Sequence, residues 1–288
     1  MKCFYHSADL DGKCSGAIVY SKYNKMCEMF GYDYAQKFPM EEISAGETII
    51  MVDIAIQPNE LMHTLNNMCD LVWIDHHTSA IKASEEEPFE FNNARGIRDI
   101  NFAACELTCK FFYGNVDVPY AVRLLGLYDI WKQNQNEDAL PFQYGMKVRN
   151  TSVESNLWLD LFNADKTSKI IRDIIADGKT IIKYETKQNE SICRFYSFEF
   201  TFEKYKCISI NKNLPSSIAF NSIYDESKHD IMFAFNRKSN IWSVSLYTTK
   251  SNIDVSEIAK RYGGGGHKQA AGFNIPDINL IIPMCKNL

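Results

Sequence analysis

The chain is 288 residues long, 45% apolar and 23% charged, which is the balance of a soluble globular protein with enough core for two domains and excludes a disordered or fibrous chain. A formal net charge of -5 excludes a global basic field for gripping long nucleic acid and leaves small or short anionic substrates, held by a local basic groove. The nine cysteines form no CxxC pair, the first residues are strand-like and then charged, and no apolar run approaches the roughly 20 residues of a membrane helix, so the expectation is a cytoplasmic protein with reduced thiols and no membrane association.

The first apolar run, KCFYH (2–6), passes directly into HSADLDG (6–12). Local folding does not explain a strand that ends in a histidine, two alternate carboxylates and a glycine, because Asp is a poor strand former and neighbouring carboxylates repel. GKCSGAIVYSKYNK then reads as helix, EMFGY (28–32) as a weaker strand, and TIIMVD (48–53) as a third. PNELMHTLNN is helical, with Pro58 suited to a first turn, and LVWID (71–75) is a fourth strand. Strands alternating with helices predict crossover units and an α/β domain whose mostly parallel sheet carries helices on both faces.

FAACELTCKFFY, VPYAVRLLGLY and VESNLWLDLF follow as helices, the thiols of CELTC being packed core cysteines. The segment 164–190 repeats isoleucine pairs at 170/171, 174/175 and 181/182 among charges, the pattern of an amphipathic connecting helix. Beyond it SFEFTFEKY, DIMFAFN and IWSVSLYT read as strands, with SSIAFNSIY as a helix between them. The chain therefore divides into a first α/β domain (1–163), a connecting helix (164–190) and a smaller α/β domain with a mixed sheet (191–288).

Three of the expected strands end in polar groups of one kind: His6, Asp9 and Asp11 after the first, Asp53 after the third, and Asp75, His76 and His77 after the fourth. A parallel sheet gathers such groups in the crevice outside its carboxyl ends. Each alone reads as a helix cap or a solvated loop residue. Together, several carboxylates at one sheet edge would raise one another's pKa unless a divalent cation compensated them. Carboxylates with a minority of imidazoles and no thiolate suit Mn²⁺ or Mg²⁺ better than structural zinc, and this many ligands suits two ions, the usual clamp for displacement at phosphorus.

The ordered set HSADLDG, VDIA with Asp53, DHH at Asp75–His77, and GLYDIW with Asp129 resembles the four motifs of the DHH phosphoesterase superfamily. GGGGHKQAAGF (263–273) resembles the signature of that superfamily's accessory DHHA1 domain. The resemblance implies two Mn²⁺ ions, one on His6, Asp9 and Asp53 and the other on Asp11, Asp53, His76 and Asp129, with Asp53 bridging. It implies a water or hydroxide between the ions as nucleophile. His77 would face the scissile phosphate, and Asp75 would orient an imidazole or the water.

In the C-terminal part, Asp254 and Glu257 stand at capping-box spacing ahead of a helix running to about Tyr262. The glycines that follow, with Gly264, Gly265 and Gly266 foremost, are expected to form a loop that approaches a ligand closely and offers N–H groups to an anion. The resemblance assigns this loop and His267 to the substrate's terminal phosphate and nucleotide. Arg237 and Lys250, in and after expected strands, read equally as phosphate partners or as solvated surface charges. Many relatives carry an arginine where SLYTTK has Tyr247, which removes a bidentate phosphate contact and offers a ring for stacking on a base.

The expectation is a Mn²⁺-dependent phosphodiesterase of the stand-alone nano-RNase type, holding its substrate between the two domains. It would cleave short oligonucleotides, dinucleotides or pAp exonucleolytically, and it would bind no long nucleic acid. A cyclic (di)nucleotide phosphodiesterase is the alternative, followed by a manganese pyrophosphatase, which has a different second domain, or a non-catalytic nucleotide-binding protein. A homodimer is compatible with this reading.

Overall fold

A computed structural model describes residues 1–34, 36–85, 94–114, 117–213 and 215–282. The chain forms two units, Met1–Ile182 and Lys183–Leu288. The first opens with β1 (Lys2–His6), α1 (Leu10–Tyr23), β2 (Glu28–Tyr32), β3 (Thr48–Val52), α2 (Asn59–Met68), β4 (Asp70–Ile74) and α3 (Thr78–Glu85). It continues through α4 (Ala104–Tyr113), α5 (Tyr120–Asp129), α6 (Ala139–Met146) and α7 (Asn156–Phe162) into α8 (Lys169–Tyr196), which runs on into the second unit.

The sheet of the first unit is entirely parallel, in the order β2-β1-β3-β4. Period-two alternation sorts its side chains. Phe4, Met51 and Trp73 pack against Met62 and Leu65 of α2, whereas Cys3, Ile50, Val52 and Val72 pack against Val19 of α1 and Leu107 of α4. A sheet apolar on both faces needs helices on both, which is why these strands read as nearly continuous apolar runs. Behind α1 and α4, Leu124, Phe142, Trp158, Ile171 and Ile174 build a helical core that also fixes the start of α8.

The second unit adds β5 (Phe198–Phe202), β6 (Tyr205–Asn211), β7 (Ile231–Lys238), β8 (Ile241–Tyr247), α9 (Val255–Arg261), β9 (Gly265–His267) and β10 (Ala270–Ile275). Its mixed sheet has the order β5-β6-β7-β8-β10-β9, with β6 and β7 parallel and the other pairs antiparallel. One face packs Phe233, Val244, Leu246 and Phe273 under Ile258 and Ala259 of α9, and the other packs Ile208, Ile210 and Met232 under Cys193 of α8.

Two expectations change here. SSIAFNSIY forms only a 3-10 turn at Ser217–Phe220, because Ala219 and Phe220 are buried there as an anchor and leave no helical stripe to extend. The glycine segment is not simply a loop, since Gly265–His267 pairs with β10 as an edge strand. The eight described cysteines are free thiols, and Cys285 lies outside the described residues. No described helix is long and apolar enough to cross a membrane.

Candidate metal centre

Strand order brings the polar strand ends together. β1 ends on His6, and Asp53 and Asp75 directly follow the adjacent β3 and β4. His6 Nδ1 lies 2.9 Å from Asp9 Oδ2 and 3.5 Å from Asp53 Oδ2. His76 Nε2 lies 3.3 Å from Asp53 Oδ1, 3.3 Å from Asp129 Oδ2 and 3.7 Å from Asp11 Oδ2. Asp53 thus turns one oxygen to each imidazole. Its backbone sits at a φ of 60°, a left-handed conformation that Asp tolerates better than most residues and that bends the chain sharply off β3.

The opening motif serves two purposes at once. Asp9 is the N-cap of α1, its Oδ1 accepting from Gly12 N at 2.9 Å while Oδ2 faces His6. Asp11, in the first turn of α1, accepts from Ala104 N and Cys105 N at the start of α4, both at 2.8 Å. Two helix N-termini therefore support its charge. Gly12 is required because a Cβ there would lie 2.1 Å from the His6 carbonyl oxygen. The capping reading of Asp9 is correct, and it coexists with membership of the cluster.

Asp129 has no such support. It is the last residue of α5, where the helix dipole opposes a negative charge. The helix ends in a Schellman turn, with Lys132 N donating to Leu127 O, Trp131 N donating to Tyr128 O, and Trp131 at a φ of 60°. Burial pushes the Asp129 carboxyl up to about 7, with His76 pulling it down and Asp53 and Asp9 pushing it further up. Asp11 is likewise raised, by burial and then by Asp53 and Asp129. Burial would raise Asp53 too, but the imidazoles of His6, His76 and His77 hold it well below the usual carboxylate range.

Asp75 is fully buried, and its Oδ1 accepts from His76 N at 2.7 Å, His77 N at 3.1 Å and His77 Nδ1 at 2.7 Å. Its Oδ2 accepts from Trp73 Nε1 at 3.3 Å. The backbone of Asp75 is fixed by an irregular parallel ladder with residues 95–99, through Asp75 N to Ile97 O and Asp99 N to Asp75 O. Such a carboxylate holds an imidazole in one tautomer and orientation. Burial would lower the His77 pKa, but Asp75 and Asp53 push it up to about 9.

His6 Nδ1, both Asp53 oxygens and Asp129 Oδ2 are buried without a hydrogen bond of good geometry among the described residues. Buried polar groups are ordinarily paired, and four orphans facing one another mark a place for a counter-charge. Three sets of ligand atoms lie mutually within 4.8 Å: His6, Asp9 and Asp53; Asp11, His76 and Asp129; and Asp53, His76 and His77. The donor set, carboxylate and imidazole without thiolate, fits divalent cations of the Mn²⁺ or Mg²⁺ kind.

Sequence reasoning missed three neighbours. The Tyr34 ring stands edge-on to His6 and His77, at centroid distances of 5.6 and 6.2 Å. Asp33 Oδ1 lies 4.0 Å from His6 Nε2. Arg98 lies over the Trp73 ring and donates to Trp73 O. The first two follow β2, so the strand-end rule that found the other residues applies to them as well.

In the second unit, pairing aligns His267 with Ala270, Ala270 with Tyr247, and Tyr247 with Met232. Gly265 lies on the same face two residues back, opposite Gly272 and Ser245. A Cβ at Gly264 would meet the Gly272 carbonyl at 2.1 Å, and one at Gly266 would meet Ala271 Cα at 2.6 Å. At Gly265 it would meet nothing within 4 Å. Packing therefore explains two of these glycines and leaves open space at Gly265, opposite Gly272 and Ser245 on the face that also carries His267 and Tyr247.

Tyr247 Oη donates to Pro215 O at 2.7 Å. Lys250 Nζ is paired with Asp230 Oδ1 at 2.7 Å, so its charge is already engaged. Arg237 pairs across the sheet with Trp242, five residues along β8 from Tyr247, which is about 16 Å. Its Nε donates to Ser239 O in the β7–β8 turn. The structure therefore does not bring Arg237 to the glycine strand, contrary to expectation.

Residues 3–129 match the DHH family, N-terminal domain, and residues 206–286 match the DHHA1 domain. The chain is 24% identical over 270 residues to an uncharacterized protein, R106, of Acanthamoeba polyphaga mimivirus, an alignment spanning 87% of this chain and 59% of that one. A stretch of 34 residues is 65% identical to oligoribonuclease NrnB of Bacillus subtilis, covering 12% of this chain and 8% of that protein. The chain thus spans less than two thirds of the length of these curated relatives. Among solved structures, the pGpG-specific phosphodiesterase PggH from Vibrio cholerae superposes with a TM-score of 0.51 at 12% identity over 97% of this chain and 94% of that one. RecJ from Thermus thermophilus in complex with Mn²⁺ gives 0.52 at 15% identity over 97% and 50%. At these identities the likeness is one of fold.

Proposed function

Because the chain belongs to the DHH phosphoesterase superfamily, with a DHH domain followed by a DHHA1 domain, we propose that it is a Mn²⁺-dependent phosphodiesterase of dinucleotides and short oligonucleotides. The observation that carries this reading is the convergence of His6, Asp9, Asp11, Asp53, His76 and Asp129, with orphaned buried atoms on three of them. Asp53 presents an oxygen to both halves of the cluster, as a ligand shared by two ions would. Two such ions supply charge neutralisation at phosphorus and a water of lowered pKa.

The chain's own residues do the rest. Asp75 keeps the His77 imidazole oriented and favours its protonated form, which suits His77 to stabilise charge on the phosphoryl oxygens and to protonate the leaving oxygen. The open face at Gly265, on the strand that also carries His267, is suited to receive a phosphate or base of a nucleotide. The short-substrate reading draws support from the net charge of -5, since a chain with no broad basic track gains little from extra phosphates. It is also supported by the pGpG specificity in the name of one structural neighbour and the oligoribonuclease activity in that of one relative.

The test is a time course with Mn²⁺ or Mg²⁺ on dinucleotides, pAp, cyclic dinucleotides, pyrophosphate and end-labelled RNAs up to a 24-mer. Dinucleotides should turn over fastest, with rates falling steeply beyond about five nucleotides, because a single nucleotide-sized pocket gains nothing from further residues. Equal rates on the dimer and the 24-mer, or internal cuts in the 24-mer, would sink the reading.

A further inference from the structure

The first unit contains a cavity of about 630 Å³ in the groove between α4 and α5, which the metal cluster does not use. Ligand pockets ordinarily run from about 300 to 1,000 Å³, so a mononucleotide fits. Its charged lining is Lys110, Arg123 and Lys132 against Glu106 and Asp117, a local positive excess in a chain of net charge -5. Among the described residues, none of the three cations has a carboxylate within ion-pairing distance. Lys110 Nζ instead lies 3.1 Å over the centre of the Phe102 ring.

Cations on exposed helix faces are usually solvated and need no explanation. These converge from α4, from α5 and from the turn beyond it on one concavity with a carboxylate set into its wall. Glu106 Oε2 accepts from Ala103 N at 3.4 Å, and the carboxylate rests on Gly126, where a Cβ would come within 2.7 Å of Oε2. Burial raises the Glu106 carboxyl above the usual range, against the Ala103 amide and the charges of Lys110, Arg123 and Lys132. A carboxylate in such a place is an acceptor for hydroxyl or amino donors, while an Arg fork with a neighbouring ammonium matches a phosphate.

We propose that the α4–α5 cavity is a second nucleotide site, separate from the metal centre, that takes a nucleoside monophosphate with its phosphate on Arg123 and Lys132 and a ribose or base donor on Glu106. The site stands whether or not the substrate assignment above is correct, since binding rather than turnover reveals it.

The experiment is calorimetric titration of the full-length, Mn²⁺-loaded protein with AMP and, separately, with inorganic phosphate. Arg123→Ala combined with Lys132→Ala should weaken AMP binding by about tenfold or more. Arg123→Lys, which keeps the charge and loses the fork, should fall between and guards against a misfolded double variant. Glu106→Gln should weaken AMP binding and spare phosphate. Asp53→Ala and His267→Ala should leave this binding in place. Unchanged AMP affinity in the double variant, no AMP binding to the wild-type protein at millimolar concentration, or loss of binding on Asp53→Ala or His267→Ala alone would overturn the proposal.

Discussion

Asp75 Oδ1 lies 2.7 Å from His77 Nδ1, and the same oxygen receives the backbone amides of both His76 and His77. One buried carboxylate thereby fixes the DHH turn and the side chain that closes it. Asp75→Asn preserves the shape but offers a neutral acceptor, so His77 loses its preference for the protonated form. Turnover should drop by about 10- to 100-fold, with the metal content little changed. Mass-spectrometric metal analysis beside steady-state kinetics checks this, and equal loss of metal and rate would make Asp75 a ligand instead.

The imidazoles set the pH behaviour of the metal-free protein. Burial would lower each one, but the surrounding carboxylates push His6 up to about 11, His76 up to about 10 and His77 up to about 9. These folded values lie above the ordinary histidine value of about 6.5. Their contribution to stability is therefore complete below that value and is lost as pH rises toward 9 to 11. The half-buried Asp129, raised to about 7, acts in the same direction over a lower window. EDTA-treated protein should accordingly melt at a lower temperature as pH goes from about 6.5 to 9.5. Mn²⁺ binding needs unprotonated imidazoles, so added Mn²⁺ should stabilise more at the alkaline end. Thermal melts with and without Mn²⁺ decide it, and a metal-free melting temperature that climbs over this range would contradict the assignment.

The convergence of these polar side chains was legible because a parallel sheet turns sequence position into spatial position: residues just past β1, β3 and β4 must meet. Asp33 and Tyr34 obey the same rule after β2, but a tyrosine and one aspartate at the end of a weak strand give little signal. The second unit was less legible. The expected strand SFEFTFEKY runs across the β5–β6 turn and stops where β6 (Tyr205–Asn211) begins, so β6 was missed: the turn uses Glu203 at a φ of 53°, without the glycine or proline that usually marks a hairpin. β9 has two glycines in three residues and so carries no alternation to read. Arg237 looked competent on charge alone, and only strand register places it on β7 opposite Trp242, at the other end of β8 from Tyr247.

Gly265 separates a packing role from a binding one. Gly264→Ala and Gly266→Ala collide with backbone and should destabilise the second unit. Gly265→Ala adds a methyl group to open space on the face that carries His267. It should leave the melting temperature nearly unchanged and raise KM for a dinucleotide several-fold with kcat preserved. His267→Ala should do the same, with metal content intact. An unaltered KM in Gly265→Ala would remove this face from the binding surface.

The last prediction distinguishes the two halves of the cluster. Asp53 lies between His6 and His76, whereas Asp129 lies 3.3 Å from His76 and stands at the unfavourable end of a helix dipole. If two ions share Asp53, then Asp53→Ala should release both and abolish activity. Asp129→Ala should release one, leaving close to a single Mn²⁺ per chain at moderate metal concentration, with turnover reduced by orders of magnitude for want of the second charge. Asp129→Ala should also relieve strain in the metal-free protein, because a half-buried carboxylate opposed by desolvation, by Asp53 and by the helix end is gone. A higher melting temperature than wild type in EDTA, together with a lower one in Mn²⁺, is therefore the expected signature. Two ions retained in Asp53→Ala would rule out the shared ligand, and a metal-free Asp129→Ala protein less stable than wild type would show that Asp129 serves the fold rather than the ion.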